Sequence, residues 1–158
     1  MFFLFHHTFA KRPTTDPHYW SNMLGTTMMN SWLGLAFERV CMLHIPQIKQ
    51  ALGISGIHTE YYSWRSKQSS PAAQIDIIIE RADQMINLCE VKYSEYPYTI
   101  NKNEEARMRT RMGVFCNETA CRKGILPTFI TTFGLNRNTH SGMIINEVTM
   151  DDLFYTPA

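Results

Sequence analysis

Two acidic side chains and a lysine interrupt a pair of otherwise apolar, β-prone runs in the middle of the chain. Asp76 lies in the first run, and Glu90 and Lys92 lie in the second. A turn centred on Asp83 would pair the runs as a hairpin, with Asp76 opposite Glu90 and Gln74 opposite Lys92. Because side chains alternate between the faces of a strand, this register predicts one apolar face and one charged face. The apolar face would hold Ile75, Ile77, Cys89 and Val91, and the charged face Gln74, Asp76, Ile78, Leu88, Glu90 and Lys92.

Carboxylates that face each other across a hairpin repel, and such like-charge pairs destabilise a sheet. A divalent cation removes this conflict, since hard cations such as Mg²⁺ prefer carboxylate oxygens. Lys92 would project from the same face and hold or deprotonate a water molecule. The alternative is a structural ion pair of Lys92 with Glu90 or Asp76, which needs no metal.

The elements around the hairpin predict one α/β domain over residues 1–158, with a mixed central sheet flanked by helices. Residues 1–28 are predicted as a helical or loop lead-in, and a helix runs from the N-cap candidate Ser31 to about His44. Pro46 marks a break or a new helical start. A strand over 56–64, the hairpin, a helix after Pro97 and a strand over 125–134 give the order α-β-β-β-α-β. Residues 141–154 add a further strand and a short helix.

Glu38 lies on this first helix, which carries apolar residues on every face and is expected to be buried on several sides. A carboxylate on a buried helix needs a cation, a hydrogen-bond donor or a metal. A Glu38–Arg39 pair that reaches solvent at the helix edge is an equally good interpretation.

The net charge of +1 gives no global attraction to nucleic acid, so such contacts need a local basic patch. The helix after Pro97 offers Arg107 and Arg111 at i,i+4 together with Arg109. The alternative is a solvated face on which these arginines pair with Glu104 and Glu105. No apolar run approaches the roughly 20 residues that span a bilayer, and the start of the chain does not fit a secretory signal. No membrane partner and a cytoplasmic location are therefore expected.

A zinc-stabilised structural domain is a more distant alternative. The four cysteines show no disulfide framework, which is typical of free thiols. Cys41 and His44 are three residues apart on a helix, and Cys116 and Cys121 are five apart. These spacings do not match a zinc-ribbon pattern.

Asp76 followed by Glu90-Val91-Lys92, with Glu38 on the leading helix, resembles the PD-(D/E)xK nuclease superfamily. The chain also resembles the C-terminal nuclease-like domain of a group of bacterial AAA-type ATPases, over about residues 1–155. The chain departs from the family pattern at two positions: Ile75 stands in place of the proline, and Ala72 stands where a glycine is expected. The chain has no G-x-x-x-x-G-K-[ST] phosphate-binding loop, so it is expected to be a tail without its ATPase, whether truncated or stand-alone.

This resemblance implies a restriction-endonuclease-like fold in which Mg²⁺ or Mn²⁺ is bound by Asp76, Glu90, the Val91 carbonyl and Glu38. Lys92 would orient or activate the attacking water, and Gln74 would contact water or phosphate. With Arg107, Arg109 and Arg111 as phosphate contacts, the expected activity is metal-assisted hydrolysis of phosphodiester bonds. DNA is the expected substrate. The alternative is a catalytically silent nuclease-fold module that binds an ATPase partner or nucleic acid.

Overall fold

The structure is a computed structural model that describes residues 17–68 and 73–155, so most of the predicted lead-in and Ala72 lie outside the described residues. The predicted order of helices and strands is confirmed within these ranges. In chain order the elements are α1 (Tyr19–Met23), α2 (Thr27–Leu43), α3 (Ile45–Ala51), β1 (Thr59–Arg65), β2 (Gln74–Arg81), β3 (Met85–Lys92), α4 (Lys102–Thr119), β4 (Gly124–Thr131), a 3-10 turn (Ser141–Met143), β5 (Asn146–Thr149) and α5 (Met150–Phe154).

The five strands form one mixed sheet in the order β1-β2-β3-β4-β5. Strand β2 is antiparallel to both β1 and β3, whereas β4 runs parallel to β3 and β5 parallel to β4. A parallel neighbour requires a long crossover connection, and α4 supplies it between β3 and β4. The chain is thus a mixed α/β protein with a helix-flanked sheet, and β3 lies at the centre of that sheet.

Clusters of buried side chains cover both faces of the sheet. On one face, α2, α3 and α5 contribute Phe37, Cys41, Ile48 and Leu153 to a cluster with Ile77, Ile79, Cys89 and Val91 of the hairpin. On the other face, Phe115 of α4 packs with Ile78, Ile86 and Leu88 and meets the Trp64 ring edge-on at 5.3 Å. Helices therefore pack against both faces of the sheet at β3. The buried residues of α4 that position it there are Met108 and Phe115.

The hairpin register is confirmed, because all four pairs of residues assigned between β2 and β3 sum to 166: Ile77 with Cys89, Ile78 with Leu88, Ile79 with Asn87, and Glu80 with Ile86. The predicted division of faces is wrong at Ile75, which packs with Ile78 and Leu88 on the α4 side. The reason is an irregularity in the pairing with β1, where Tyr62 lies opposite Ile78 but Trp64 opposite Ile75. The extra residue in β2 resets the alternation of side chains, and Asp76 lies within this bulge.

Helix α2 begins four residues before the predicted Ser31 cap. The hydroxyl of Thr26 accepts a hydrogen bond from the Met29 amide, so Thr26 is the N-cap, and the Ser31 hydroxyl donates to the Thr27 carbonyl inside the helix. The prediction that this helix is buried on several sides is also wrong. Its buried residues are Met29, Phe37 and Cys41, whereas Leu43 is 65% exposed.

Candidate functional site

Glu90 is a buried carboxylate held by two cations at the end of β3. Its side chain lies on the α4 side, and the residue is only 6% exposed. Lys92 approaches one carboxylate oxygen at 2.7 Å, because residues two apart in a strand share a face. Arg111 of α4 donates a hydrogen bond to the other oxygen. Both oxygens of Glu90 are therefore paired, and the structure contains the ion pair with Lys92 that the sequence left as an alternative.

Asp76 carries a charge that the fold disfavours. It is partly buried, and its Oδ2 accepts a hydrogen bond from the Val91 amide at 2.9 Å. Burial, and after it the negative charge of Glu90, raises the pKa of Asp76 from 3.8 to about 6. The backbone hydrogen bond and the charge of Lys92 oppose this rise without cancelling it. An acid that the fold pushes toward protonation is more typical of a functional site than of a stabilising ion pair.

Glu38 on α2 completes an acidic group around Asp76 and Glu90. Burial raises the pKa of Glu38; the positive charge of Lys92 lowers it, and the negative charge of Glu90 raises it again. The neighbouring Cys41 thiol also senses Asp76, since burial and then that carboxylate raise the pKa of Cys41 to about 12. Helix α2 therefore places Glu38, partly buried, in electrostatic range of the hairpin charges.

Arg111 is the cation that α4 contributes to this group. Burial alone would lower the pKa of its guanidinium, but the hydrogen bond to Glu90 and the charges of Glu90 and Asp76 raise it. Together with Lys92 it sets two positive charges against the three carboxylates of Glu38, Asp76 and Glu90. The group keeps an excess of negative charge when all three acids are ionised.

A small polar pocket opens beside Glu90. Its volume is about 30 Å³, which is room for one or two water-sized groups. Its walls combine three cationic side chains with two acidic and two apolar ones: Lys92, Arg107, Arg111, Glu90, Glu104, Met108 and Phe129. Such a pocket can receive a small anionic group beside the carboxylate cluster.

The structure separates the predicted phosphate contacts. Arg107 is exposed and lines the pocket with Arg111, one helical turn away. Arg109 instead projects from another side of α4, where its guanidinium bonds Glu105 at 2.8 Å. Gln74 is exposed at the start of β2, where it pairs with Arg65 of β1, and it does not line the pocket. Arg107 and Arg111 are thus the arginines that α4 brings to the hairpin charges.

Sequence reasoning missed Phe129 and Glu104 as pocket residues. Phe129 pairs with Glu90 across the parallel strands β3 and β4, a contact that becomes visible only once the register of β4 is known. Glu104 was assigned as a partner for arginine, but it accepts hydrogen bonds from the Asn101 amide and the Tyr98 hydroxyl at the start of α4. Its place at the third position of a capping box was readable as N-x-x-E in the sequence.

The site has the oxygen ligands that a divalent cation prefers, but the side chains that carry them are not arranged around a metal position. The carboxylate oxygens of Asp76, Glu90 and Glu38 are hard ligands, and their excess negative charge favours Mg²⁺ or Mn²⁺. Across 17–68 and 73–155, however, no group of three or more His, Cys, Asp or Glu side chains lies close enough to hold a metal ion. Arg111 and Lys92 occupy the oxygens that a metal would need. The residues fit the metal if Glu90 exchanges one of these cations for it.

The structure keeps the zinc candidates apart. Cys41 lies in the cluster under α2, whereas Cys116 and Cys121 pack against the cluster under α4, on the opposite face of the sheet. The Nδ1 atom of His44 lies 2.8 Å from the Val40 carbonyl oxygen. The four side chains therefore do not form one zinc site.

Comparison with known proteins adds little to the geometry. No family model matches the chain, and no curated protein matches it. Among solved structures, the chain is similar to the crystal structure of a protein of unknown function, AF1548, with a TM-score of 0.49 and 14% sequence identity. The match covers 74% of this chain, and the chain spans 64% of that one. In the described part of the chain, no helix is long and apolar enough to cross a membrane.

Proposed function

We propose that this protein is a divalent-metal-dependent nuclease of the PD-(D/E)xK type that hydrolyses phosphodiester bonds in DNA. The observation that carries the proposal is that Asp76, which lies just beyond the confirmed pairs of the hairpin register, is close enough to Glu90 and Lys92 for both charges to act on its carboxyl group. The fold raises the pKa of Asp76 to about 6 there, so its carboxylate is retained at a cost to stability. A bound cation would turn that cost into a favourable interaction.

The element order supports the same proposal. A helix, a three-stranded antiparallel meander and a crossover helix leading into a parallel strand are the arrangement that the resemblance implies for a restriction-endonuclease-like fold. Asp76 then lies on the second strand of the meander and Glu90 on the third, and Glu38 lies on the leading helix.

In this proposal Asp76, Glu90 and the Val91 carbonyl hold Mg²⁺ or Mn²⁺, with Glu38 assisting. The metal supplies polarisation of the phosphate and a hydroxide near neutral pH. Lys92 projects beside Glu90 and places a positive charge at the pocket, where it orients a water molecule and offsets the charge on the phosphate. Arg107 and Arg111 line the same pocket and bind the phosphate oxygens.

A nucleic-acid substrate is proposed because the pocket presents three cations on a chain of nearly neutral net charge, and the choice of DNA rests on the resemblance. Phosphate contacts of this kind provide most of the affinity for nucleic acid. An ATPase partner that delivers the DNA is a further part of the proposal, and it rests on the resemblance alone.

A second function is favoured by one observation, the closed ion-pair network at Glu90. With Lys92 and Arg111 on its two oxygens, Glu90 needs no metal for charge balance. On that basis the protein would be a nuclease-fold module that binds nucleic acid or an ATPase partner without cutting.

Cleavage of supercoiled plasmid and of single-stranded DNA separates the two functions. The protein is incubated with Mg²⁺, Mn²⁺ or EDTA, beside Asp76→Asn, Lys92→Ala and the control Arg109→Ala, whose side chain lies outside the pocket. We expect cutting that requires the metal, is lost in the first two variants and is kept in the control. A folded wild-type protein that cuts neither substrate with either metal would contradict the nuclease proposal and favour the binding module.

A further inference from the structure

Glu90 presents a conflict that the proposed function must resolve. Its two oxygens are already bonded, one to Lys92 and one to Arg111, and the residue is 6% exposed. A divalent cation that uses Glu90 as a ligand needs at least one of these oxygens. Metal and one of the two side chains must therefore compete for the same atom.

Arg111 is the cation better placed to leave. Lys92 is two residues from Glu90 on the same strand, so backbone geometry keeps the two side chains adjacent. Arg111 comes from a separate element, α4, and reaches Glu90 with a long side chain. The two side chains are equally exposed, 29% for Arg111 and 31% for Lys92, so the difference between them is the element that carries each one. Like Lys92, Arg111 lines the 30 Å³ pocket, which gives its guanidinium a polar space next to its present position.

The neighbour that Arg111 would meet in this pocket is Arg107. The two arginines are four residues apart on one face of α4, and Arg107 is exposed. Two guanidinium groups that share a pocket repel unless an anion lies between them, and a phosphate group bonds guanidinium side chains in a bidentate manner. Departure of Arg111 from Glu90 is thus favoured when a phosphate enters the pocket.

We infer that Arg111 is an exchangeable counter-ion, which occupies Glu90 in the resting protein and transfers to the substrate phosphate when a divalent cation takes its place. The inference rests on the proposed function, and it adds that binding of the divalent cation and binding of the substrate phosphate are coupled. Because metal binding frees Arg111 for phosphate, and phosphate binding frees Glu90 for metal, each ligand must strengthen the binding of the other. Arg111 is in this sense a positioning residue for the metal and a binding residue for the substrate.

The test is Mn²⁺ affinity, measured on the full chain by the electron paramagnetic resonance signal of the free ion. Arg111→Ala removes the competing charge, so we expect it to bind Mn²⁺ about tenfold more tightly than wild type. Arg111→Gln keeps a hydrogen-bond donor for Glu90 and serves if the alanine variant does not fold, with the same direction expected. Arg109→Ala removes an arginine from α4 outside the pocket and should change the affinity less than about twofold.

The same titration is repeated with a short phosphorothioate oligonucleotide, which resists cleavage. The oligonucleotide should tighten Mn²⁺ binding in wild type, and this effect should disappear in the Arg111 variants. Unchanged or weaker Mn²⁺ binding in both Arg111 variants would overturn the exchange, even if wild type binds metal and cuts DNA. Absence of Mn²⁺ binding in wild type and in both variants would instead overturn the proposed function, and the exchange with it.

Discussion

Glu90 and Glu105 have similar ion-pair partners, but the pKa values of acids in the two networks shift in opposite directions. Each pairs with an arginine of α4 and a second cationic group: Arg111 and Lys92 for Glu90, and Arg109 and His140 for Glu105. The hydrogen bond from His140, and then that from Arg109, lowers the pKa of Glu105, so this network favours the ionised acid. Around Glu90 the neighbouring Asp76 and Glu38 instead have raised pKa values.

The contrast teaches that ion pairs alone do not mark a functional site. The Glu105 network lies near the surface, where Arg109 is 62% exposed, and its single acid is matched by Arg109 alone, with His140 as a second cation when it is protonated. The hairpin group is centred on the buried Glu90, its other members are partly buried, and it holds three acids against two cations. Excess charge in a buried group needs an external partner, and this is why the metal is proposed at Asp76 and Glu90 rather than at Glu105.

The largest difference between the two networks is expected in catalysis. Lys92→Ala should lower the proposed metal-dependent DNA cleavage by roughly 10²–10⁴-fold, because the variant loses the group that is proposed to orient the water and offset the phosphate charge. Arg109→Ala should stay within about twofold of wild type, since the Glu105 network contacts no part of the pocket. Initial rates of plasmid nicking at saturating Mg²⁺ measure both. Equal losses in the two variants would show that the networks are not distinct.

The second-largest difference between the two networks is expected in the free energy of unfolding. Glu90→Ala removes the partner of Arg111 inside the fold and should cost about 3 kcal/mol of unfolding free energy, as expected when one member of a buried pair is deleted. Glu105→Ala should cost clearly less, because surface ion pairs contribute little. Urea denaturation at pH 7 with EDTA gives both values. A loss for Glu105→Ala that matches the loss for Glu90→Ala would contradict the assignment of burial as the deciding factor.

The smallest effect is a gain in stability that depends on pH. The pKa of Asp76 in the folded protein, about 6, lies above its ordinary 3.8, so the folded state holds this proton more tightly than the unfolded chain. The cost of ionising Asp76 is therefore absent below about pH 4 and complete above about pH 7. Asp76→Asn should raise the unfolding free energy by about 2 kcal/mol at pH 8 and by almost nothing at pH 4. Urea denaturation in EDTA at both pH values measures this, and an equal gain at both would exclude the charge as its cause.

The local parts of this arrangement were predictable from sequence. The hairpin register follows from matching apolar positions across a short turn, and the four observed pairs agree with it. The bulge at Asp76 was not predictable, because it depends on how β1 pairs with β2 at Tyr62 and Trp64, more than ten residues away. Register within a hairpin is set by adjacent residues, whereas a bulge is set by a third strand.

The choice among the arginines of α4 failed for a related reason. Arg109 was predicted as a phosphate contact with Arg107 and Arg111, but it lies two residues from each on the helix and therefore on a different side. Which side meets the sheet is decided by the packing of Met108 and Phe115. The bond between Arg111 and Glu90 joins residues 21 positions apart and appears only after that packing is known.

The most direct test of the central claim is a titration of the wild-type chain and of Asp76→Asn with Mn²⁺, followed by calorimetry. If Asp76 and Glu90 form a metal site, wild type binds a single high-affinity Mn²⁺ ion, and Asp76→Asn loses that binding while staying folded. Wild type that binds no Mn²⁺, or an Asp76→Asn variant that binds it equally well, would contradict the claim and leave the hairpin charges as a structural ion-pair network.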